Sequence, residues 1–229
     1  MFVPECYREP DGTWMAELVR RNPLAQLVTN GPAADGPRVT HLPVIRDPAM
    51  TGDWPPDLSG GLLVGHMNRA NPHWAALESG TTALLTFTGP HAYVSPTLYG
   101  VTPASPTWNF TAVHVRGVLR KIATIEETLE VVKATVRAFE RDFGSELGVE
   151  WDMTGSLDYF RSIVPAVGAF RFEVTGADGM FKLSQEKEHE IRDRVRQCFA
   201  QRDSGRHREA AALMGRLMQT SPAGDVSGN

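Results

Sequence analysis

From Trp108 to Ile122 the chain alternates, with Asn109, Thr111, Val113 and Val115 on one face and Phe110, Ala112, His114 and Arg116 on the other. Period two belongs to a strand, because successive side chains leave a pleated backbone on opposite sides. Leu24 to Thr29, Arg38 to Ile45, Gly61 to Met67, Thr81 to Thr88 and Ala166 to Thr175 also read as strands. The total is roughly six or seven, clustered without regular strand–helix–strand alternation. That argues against a doubly wound parallel sheet. A mainly β architecture with flanking helices (α+β) follows, with a small antiparallel barrel at its centre.

Loops and helices fill the intervals. Gly31 to Pro37 is turn-rich and joins two strands as a hairpin. Pro43, in Thr40-His41-Leu42-Pro43, predicts a sheet edge or a strand end, because proline cannot donate to a ladder. Asp47 to Gly60 carries three prolines and two glycines and reads as a surface loop. Thr97 to Pro106 reads as another. Helices are expected at Thr13–Arg21, at Asn71–Glu78 behind Pro72, at Trp151–Ile163, at Glu186–Gln201 and at His207–Met218. Thr124-Ile125-Glu126-Glu127 is a capping-box pattern. The helix behind it places Leu129, Val132, Val136, Phe139 and Phe143 at spacings of three and four, and this stripe should face the barrel. Ser221 to Asn229 is expected to fray.

Composition narrows the function classes. The net charge of −4 argues against a nucleic-acid surface, which is ordinarily basic. No apolar run reaches the roughly 18 residues of a membrane span, and the first residues lack the order of a signal peptide. The two cysteines, Cys6 and Cys198, form neither a disulfide framework nor a metal or haem-attachment motif. These features lead to the expectation of a soluble, cytoplasmic protein with reduced thiols.

GxSxG, HExxH, Walker and GxGxxG patterns are all missing. Histidines stand out instead. His41, His66, His73, His91 and His114 fall near strand ends and loops of the first half. His66 follows the apolar run Leu62-Leu63-Val64-Gly65 and precedes the Asn71-Pro72 turn. A histidine where a buried strand meets a loop is held rigidly and can reach a pocket, to ligate iron or to contact a flavin phosphate. It can equally well cap a sheet.

Several stretches carry a resemblance. They are Met1-Phe2-Val3-Pro4, Thr40-His41-Leu42-Pro43, Gly65-His66-Met67 with Arg69-Ala70-Asn71-Pro72, Gly89-Pro90-His91-Ala92-Tyr93-Val94-Ser95-Pro96, Pro106-Thr107-Trp108-Asn109-Phe110, Ala112-Val113-His114-Val115 and Phe181-Lys182-Leu183-Ser184-Gln185. In this order they resemble the PaiB-type family, often labelled FMN-binding negative transcriptional regulators. The resemblance implies a split β-barrel of the FMN-binding type over residues 1–185, with residues 186–229 as a C-terminal helical extension and tail. It also implies a homodimer with the cofactor pocket near the interface. Relatives of this fold bind flavin or haem, and fold alone does not assign chemistry.

Haem-dependent piperazate synthases resemble PaiB proteins and form the branch expected here. Between Ser95 and Trp108 this chain has Thr97-Leu98-Tyr99-Gly100 and a Pro-rich insert in place of an aromatic-rich segment, and Leu98 there could make room for a larger planar cofactor. The branch implies haem b as cofactor and N5-hydroxy-L-ornithine as substrate. An N–N bond closes with loss of water, the haem iron polarising the N–O bond while the substrate's own α-amine attacks. His66 is the first choice of axial ligand, with His41, His91 and His114 as rivals and Cys6 as a thiolate in an exposed arm. Arg69, Arg38 and Arg116 are the cations for the propionates. Tyr93, Tyr99 and His91 are the donors to the leaving oxygen. The alternative is an FMN-binding negative transcriptional regulator. Thr40, Ser95 and Thr107 would then hold the phosphate, with Trp108 or Tyr93 against the ring. No helix-turn-helix or basic stripe supports direct DNA binding.

Overall fold

The computed structural model describes residues 1–31, 36–144 and 151–220. The expected tail at 221–229 and part of the first hairpin turn lie outside the described residues. Six antiparallel strands close into a barrel. They are β1 (Leu24–Thr29), β2 (Arg38–Arg46), β3 (Leu62–Asn68), β4 (Thr81–Val94), β5 (Thr107–Lys121) and β6 (Val167–Lys182). The order around the barrel is β1-β2-β3-β6-β5-β4. Closure removes the sheet edges that an open sheet would expose. The interior is filled by alternate residues, among them Leu27, Leu63, Phe87, Phe170 and Phe172, each essentially inaccessible. Burying each such side chain stabilises by about 1.5–3 kcal/mol.

Two strands outrun their sequence signals. β4 does not stop at Thr88. It passes through Gly89-Pro90 as a register shift between Thr88 and His91 and resumes pairing with β5 as far as Val94. Pro90 cannot donate to the ladder, so an irregularity is where it fits. β6 does not stop at Thr175 either. Arg116 faces Gly176 while Gly117 faces Val174, which leaves Thr175 as the extra residue of a bulge, and pairing continues to Lys182. Pro43 is likewise not at an edge. β2 pairs with β1 up to Pro43 and with β3 from Val44 onward, so the missing N–H falls where the strand changes partners.

The helices are α1 (Trp14–Arg21), α2 (Pro72–Ala76), α3 (Ile125–Phe143), α4 (Leu157–Ile163), α5 (His189–Ala200) and α6 (Gly205–Thr220). Thr124 caps α3, its side chain accepting from Glu127 N at 3.2 Å. The side of α3 that packs differs from the expected stripe. Thr128, Val131, Val132 and Thr135 are buried, whereas Phe143 is 42% exposed and Leu129, Val136 and Phe139 are half-buried. Small and β-branched residues allow the helix to lie close on β2, β3 and β6 over its first half, and its second half stands off the barrel. α1 plugs one barrel end, with Trp14 edge-on to Phe181 at 5.4 Å. Val195 and Phe199 of α5 and Met214 and Leu217 of α6 join the same core as the barrel residues. Among the described residues, no helix is long and apolar enough to cross a membrane.

Candidate functional site

Strand periodicity decides which way each histidine points. Leu42 and Val44 enter the core, so His41 projects from the outer surface. Val113 and Val115 enter the core, so His114 projects outward as well. The ladders align the two. His41 faces Gln26, Gln26 faces Thr86, Thr86 faces His114 and His114 faces Asp178. Thr86 Oγ1 donates to Gln26 Oε1 at 3.0 Å, and Gln26 Nε2 donates to His41 Nε2 at 3.1 Å. His41 therefore carries its ring proton on Nδ1. Asp178 closes the rung, accepting from Arg116 and from the Met1 ammonium. Burial lowers the His114 pKa and the Met1 ammonium lowers it further, while Asp178 opposes the shift. Three strand spacings, about 14 Å, separate His41 from His114, so the pair cannot grip one ion within one chain.

His66 lies elsewhere on the outer surface. Leu63 and Met67 enter the barrel, which puts His66 on the face shared with Val64, directly opposite Ala169. Val64 and Ala169 belong to a small cluster with Ile122 and Val131 beneath α3. A Cβ at Gly65 would come within 2.7 Å of Phe170 Cζ, so glycine is what lets the barrel pack tightly beside this histidine. Burial alone lowers the His66 pKa. Its Nδ1 is buried with no hydrogen-bond partner among the described residues. His73 is the contrast. It is 4% exposed, and its Nε2 and Nδ1 meet Thr29 Oγ1 and Thr40 Oγ1, each at 2.8 Å. It is a satisfied core histidine, and burial followed by the nearby Arg38 lowers its pKa.

His91, Tyr93 and Trp108 form a second group. Trp108 is 52% exposed, with the His91 and Tyr93 rings each 6.0 Å from its own, centre to centre. Both His91 nitrogens are engaged, Nδ1 with Gly89 O and Nε2 with Arg206, each at 3.2 Å. Lys182 Nζ donates to Thr107 Oγ1 at 2.6 Å on the adjoining strands. β2 and β1 stand between His66 on β3 and Tyr93 on β4, so these two do not meet within one chain.

The remaining candidates are dispersed. Tyr99 is 3% exposed inside the core, its hydroxyl lacks a partner among the described residues, and burial and then Glu186 raise its pKa. Arg69 donates from Nε to Val167 O at 2.8 Å and lies over Trp74. Arg116 is committed to Asp178, and Cys6 is exposed. Gln26, Thr86 and Arg206 touch the candidate residues without a sequence motif of their own. For the first two the signal was available, since each lies on the outward phase of its strand. Arg206 reaches His91 across 115 positions, which no local pattern foreshadows. Among the described residues, no group of three or more histidine, cysteine or carboxylate side chains converges on a metal position.

Residues 1–176 match the family described as "Putative FMN-binding domain". The chain belongs to that family. Within it, the chain is 26% identical over 187 residues to the Bacillus subtilis "Protease synthase and sporulation protein PAI 2", covering 82% of this chain and 83% of that one. An uncharacterised Emericella nidulans protein is 29% identical over 226 residues, covering 85% and 88%. The solved "FAD and Heme binding protein" of Mycobacterium smegmatis superposes with a TM-score of 0.54 at 14% identity, covering 81% and 78%. That likeness shows the fold, the split barrel of FMN-binding proteins.

Proposed function

We propose that this PaiB-like chain is a haem-dependent lyase that closes an N–N bond, converting N5-hydroxy-L-ornithine to L-piperazate and water. The observation that carries the reading is His66. Iron takes a neutral imidazole, and burial keeps His66 neutral at physiological pH. A buried histidine ordinarily fills both ring positions, as His73 does, whereas His66 has an orphaned Nδ1. The donor set fits haem, with one imidazole on an apolar face and Arg38 and Arg69 as cations for propionates. That a Mycobacterium smegmatis protein of the same fold is described as binding haem and FAD supports the class of cofactor.

Haem, when bound, supplies a Lewis-acidic iron that weakens an N–O bond. The chain's own residues have three tasks. Burial favours the unprotonated form of His66, and β3 fixes its backbone beside Ala169. Tyr93, 48% exposed, is the phenol free to donate a proton to the departing oxygen. Tyr99 is sealed in the core and His91 is already bonded at both nitrogens, which leaves Tyr93 the stronger candidate. Arg38 would receive the α-carboxylate or a propionate. The α-amine attacks the δ-nitrogen, the N–O bond breaks, and hydroxide leaves with the proton that the amine sheds. No electrons are gained or lost. In a homodimer a second copy would cover Leu24 and Val39, 65% and 53% exposed, and Tyr93 of one copy would act on the substrate held at His66 of the other.

A flavin reading rests on a different observation. Trp108 offers an open aromatic face between two other rings, and Lys182 with Thr107 stands on the adjoining strands as a phosphate site. That arrangement would suit FMN in a regulator. Purified protein supplied with haem or FMN separates the two. The lyase reading expects a Soret band that shifts on dithionite reduction and is lost in His66→Ala, with piperazate formed from N5-hydroxy-L-ornithine. A flavin spectrum that is lost in Trp108→Ala, with no haem uptake, would replace it by the regulator.

A further inference from the structure

A cleft of about 590 Å³ opens between α1, β2 and the second half of α3, and it shares no lining residue with the histidine rung, His66 or the Trp108 group. Its origin is the packing of α3. The helix seats Thr128 to Thr135 on the barrel, and its later turns stand away, joined to α1 by Arg20 and Asp142 at 3.3 Å. Alanines at 16, 134 and 138 leave the gap open, with Val44 and Ile45 as its floor and Phe139 and Trp54 at its sides.

The charges in this cleft do not cancel. Its three carboxylates are all engaged. Glu17 pairs with Arg21 and Arg216, Asp47 with Arg171, and Asp142 with Arg20 and Arg141. Arg46 and Arg137 line the same cleft, and among the described residues neither has a carboxylate within ion-pair distance. Arg46 is held in place, donating through Nη2 to Gly52 O and lying over the Trp54 ring at 5.4 Å. Its Nε is buried with no acceptor among the described residues. Nε is sealed off, Nη2 is taken by Gly52 O, and Nη1, without a partner among the described residues, is the donor left for an anion in the cleft. An apolar trough with a few placed polar groups is the ordinary make-up of a small-molecule site.

We propose that this cleft binds an amphipathic organic carboxylate, with its apolar body between α1 and α3 and its carboxylate on Arg46, supported by Arg137. The two parts of the ligand follow from the two parts of the cleft. Neither a purely apolar molecule nor a small inorganic anion would use both.

Calorimetric titration of the full chain with 3-phenylpropionate tests this, with 3-phenylpropanamide as the uncharged control. The acid is expected to bind saturably, and the amide at least about tenfold more weakly, since charge-assisted hydrogen bonds to a guanidinium are the stronger kind. Arg46→Gln should cost a similar factor and Arg137→Gln a smaller one. Ala138→Phe, which fills the cleft from the helix side without touching Arg46, should abolish binding and keeps the test open if the Arg46 variant misfolds. His66→Ala should leave the affinity unchanged, which separates this site from the haem reading. Equal affinity for acid and amide, undiminished binding in Ala138→Phe, or no saturable heat up to about 10 mM acid would overturn the proposal.

Discussion

Arg206 Nη1 donates to His91 Nε2 at 3.2 Å, tying the first turn of α6 to β4 across 115 positions of sequence. A guanidinium can only donate, so His91 Nε2 must accept and the ring proton sits on Nδ1, bonded to Gly89 O at 3.2 Å. The Gly89 carbonyl and the C-terminal helix thus require the same tautomer of a histidine beside the exposed Trp108.

Imidazole ¹⁵N spectra should therefore show His91 as the Nδ1–H tautomer at neutral pH. Arg206→Ala should keep the Nδ1–H tautomer, which Gly89 O still requires, while exposing Nε2 to solvent, with a loss of stability under about 1 kcal/mol, because the contact is exposed. An Nε2–H tautomer in the unmodified chain would contradict the contact.

Stability should rise with pH between about 5 and 7. Burial lowers the pKa of His66, His73 and His114 below the value of about 6.5 that an unfolded histidine has. Below that value the unfolded chain binds more protons than the folded one, so acid favours unfolding. The stability is fully present above the unfolded pKa and is lost as pH falls below it. His73, 4% exposed, is among the contributors, and one group can add at most about 1.4 kcal/mol per pH unit. The depressed carboxylates Asp11, Asp142 and Asp178 act at lower pH, below the ordinary carboxylate value of about 3.9. Urea midpoints at pH 7.5, 6.5, 5.5 and 5 measure the slope, and a flat profile would refute the assignment.

His73→Ala should destabilise the chain by about 2–4 kcal/mol, from a cavity and from the Thr29 hydroxyl left without its partner in the core. Thr40 retains Asn71 Nδ2 at 3.2 Å, so the loss is smaller on that side. Chemical denaturation measures it, and a change below about 0.5 kcal/mol would mean that His73 is not the internal bridge described above.

On α3, Val131→Ala should cost about 1–3 kcal/mol, whereas Phe143→Ala should cost under about 0.5 kcal/mol, although phenylalanine is the larger residue. Val131 is 6% exposed and Phe143 42%. The reverse order in denaturation midpoints would restore the stripe expected from helical spacing.

The stripe shows where sequence reading stops. Leu129, Val132, Val136, Phe139 and Phe143 are the conspicuous apolar series, yet the helix seats Thr128, Val131, Val132 and Thr135. Threonine counts as polar in a pattern, but Thr128 and Thr135 bond back to the carbonyls of Thr124 and Val131 and can then be buried. Bulges were hidden for a related reason. Gly89-Pro90 and Thr175-Gly176 read as strand ends because local signals do not reveal that a neighbouring strand continues the ladder across them.

Local chemistry alone determined the strand and helix inventory, the Thr124 cap and the barrel class, because period, caps and turn residues act over a few positions. The stretches spread over residues 1–185 also carried the PaiB-like resemblance. Only the tertiary structure decided how the histidines differ. Their spacing makes His41, His66, His73, His91 and His114 look alike. Tertiary packing places His41 and His114 on one rung, buries His73 between two threonines, brings Arg206 of α6 to His91 and leaves His66 with an orphaned Nδ1. Partners from strands and helices far apart in sequence set these states, and no pattern along one strand contains them.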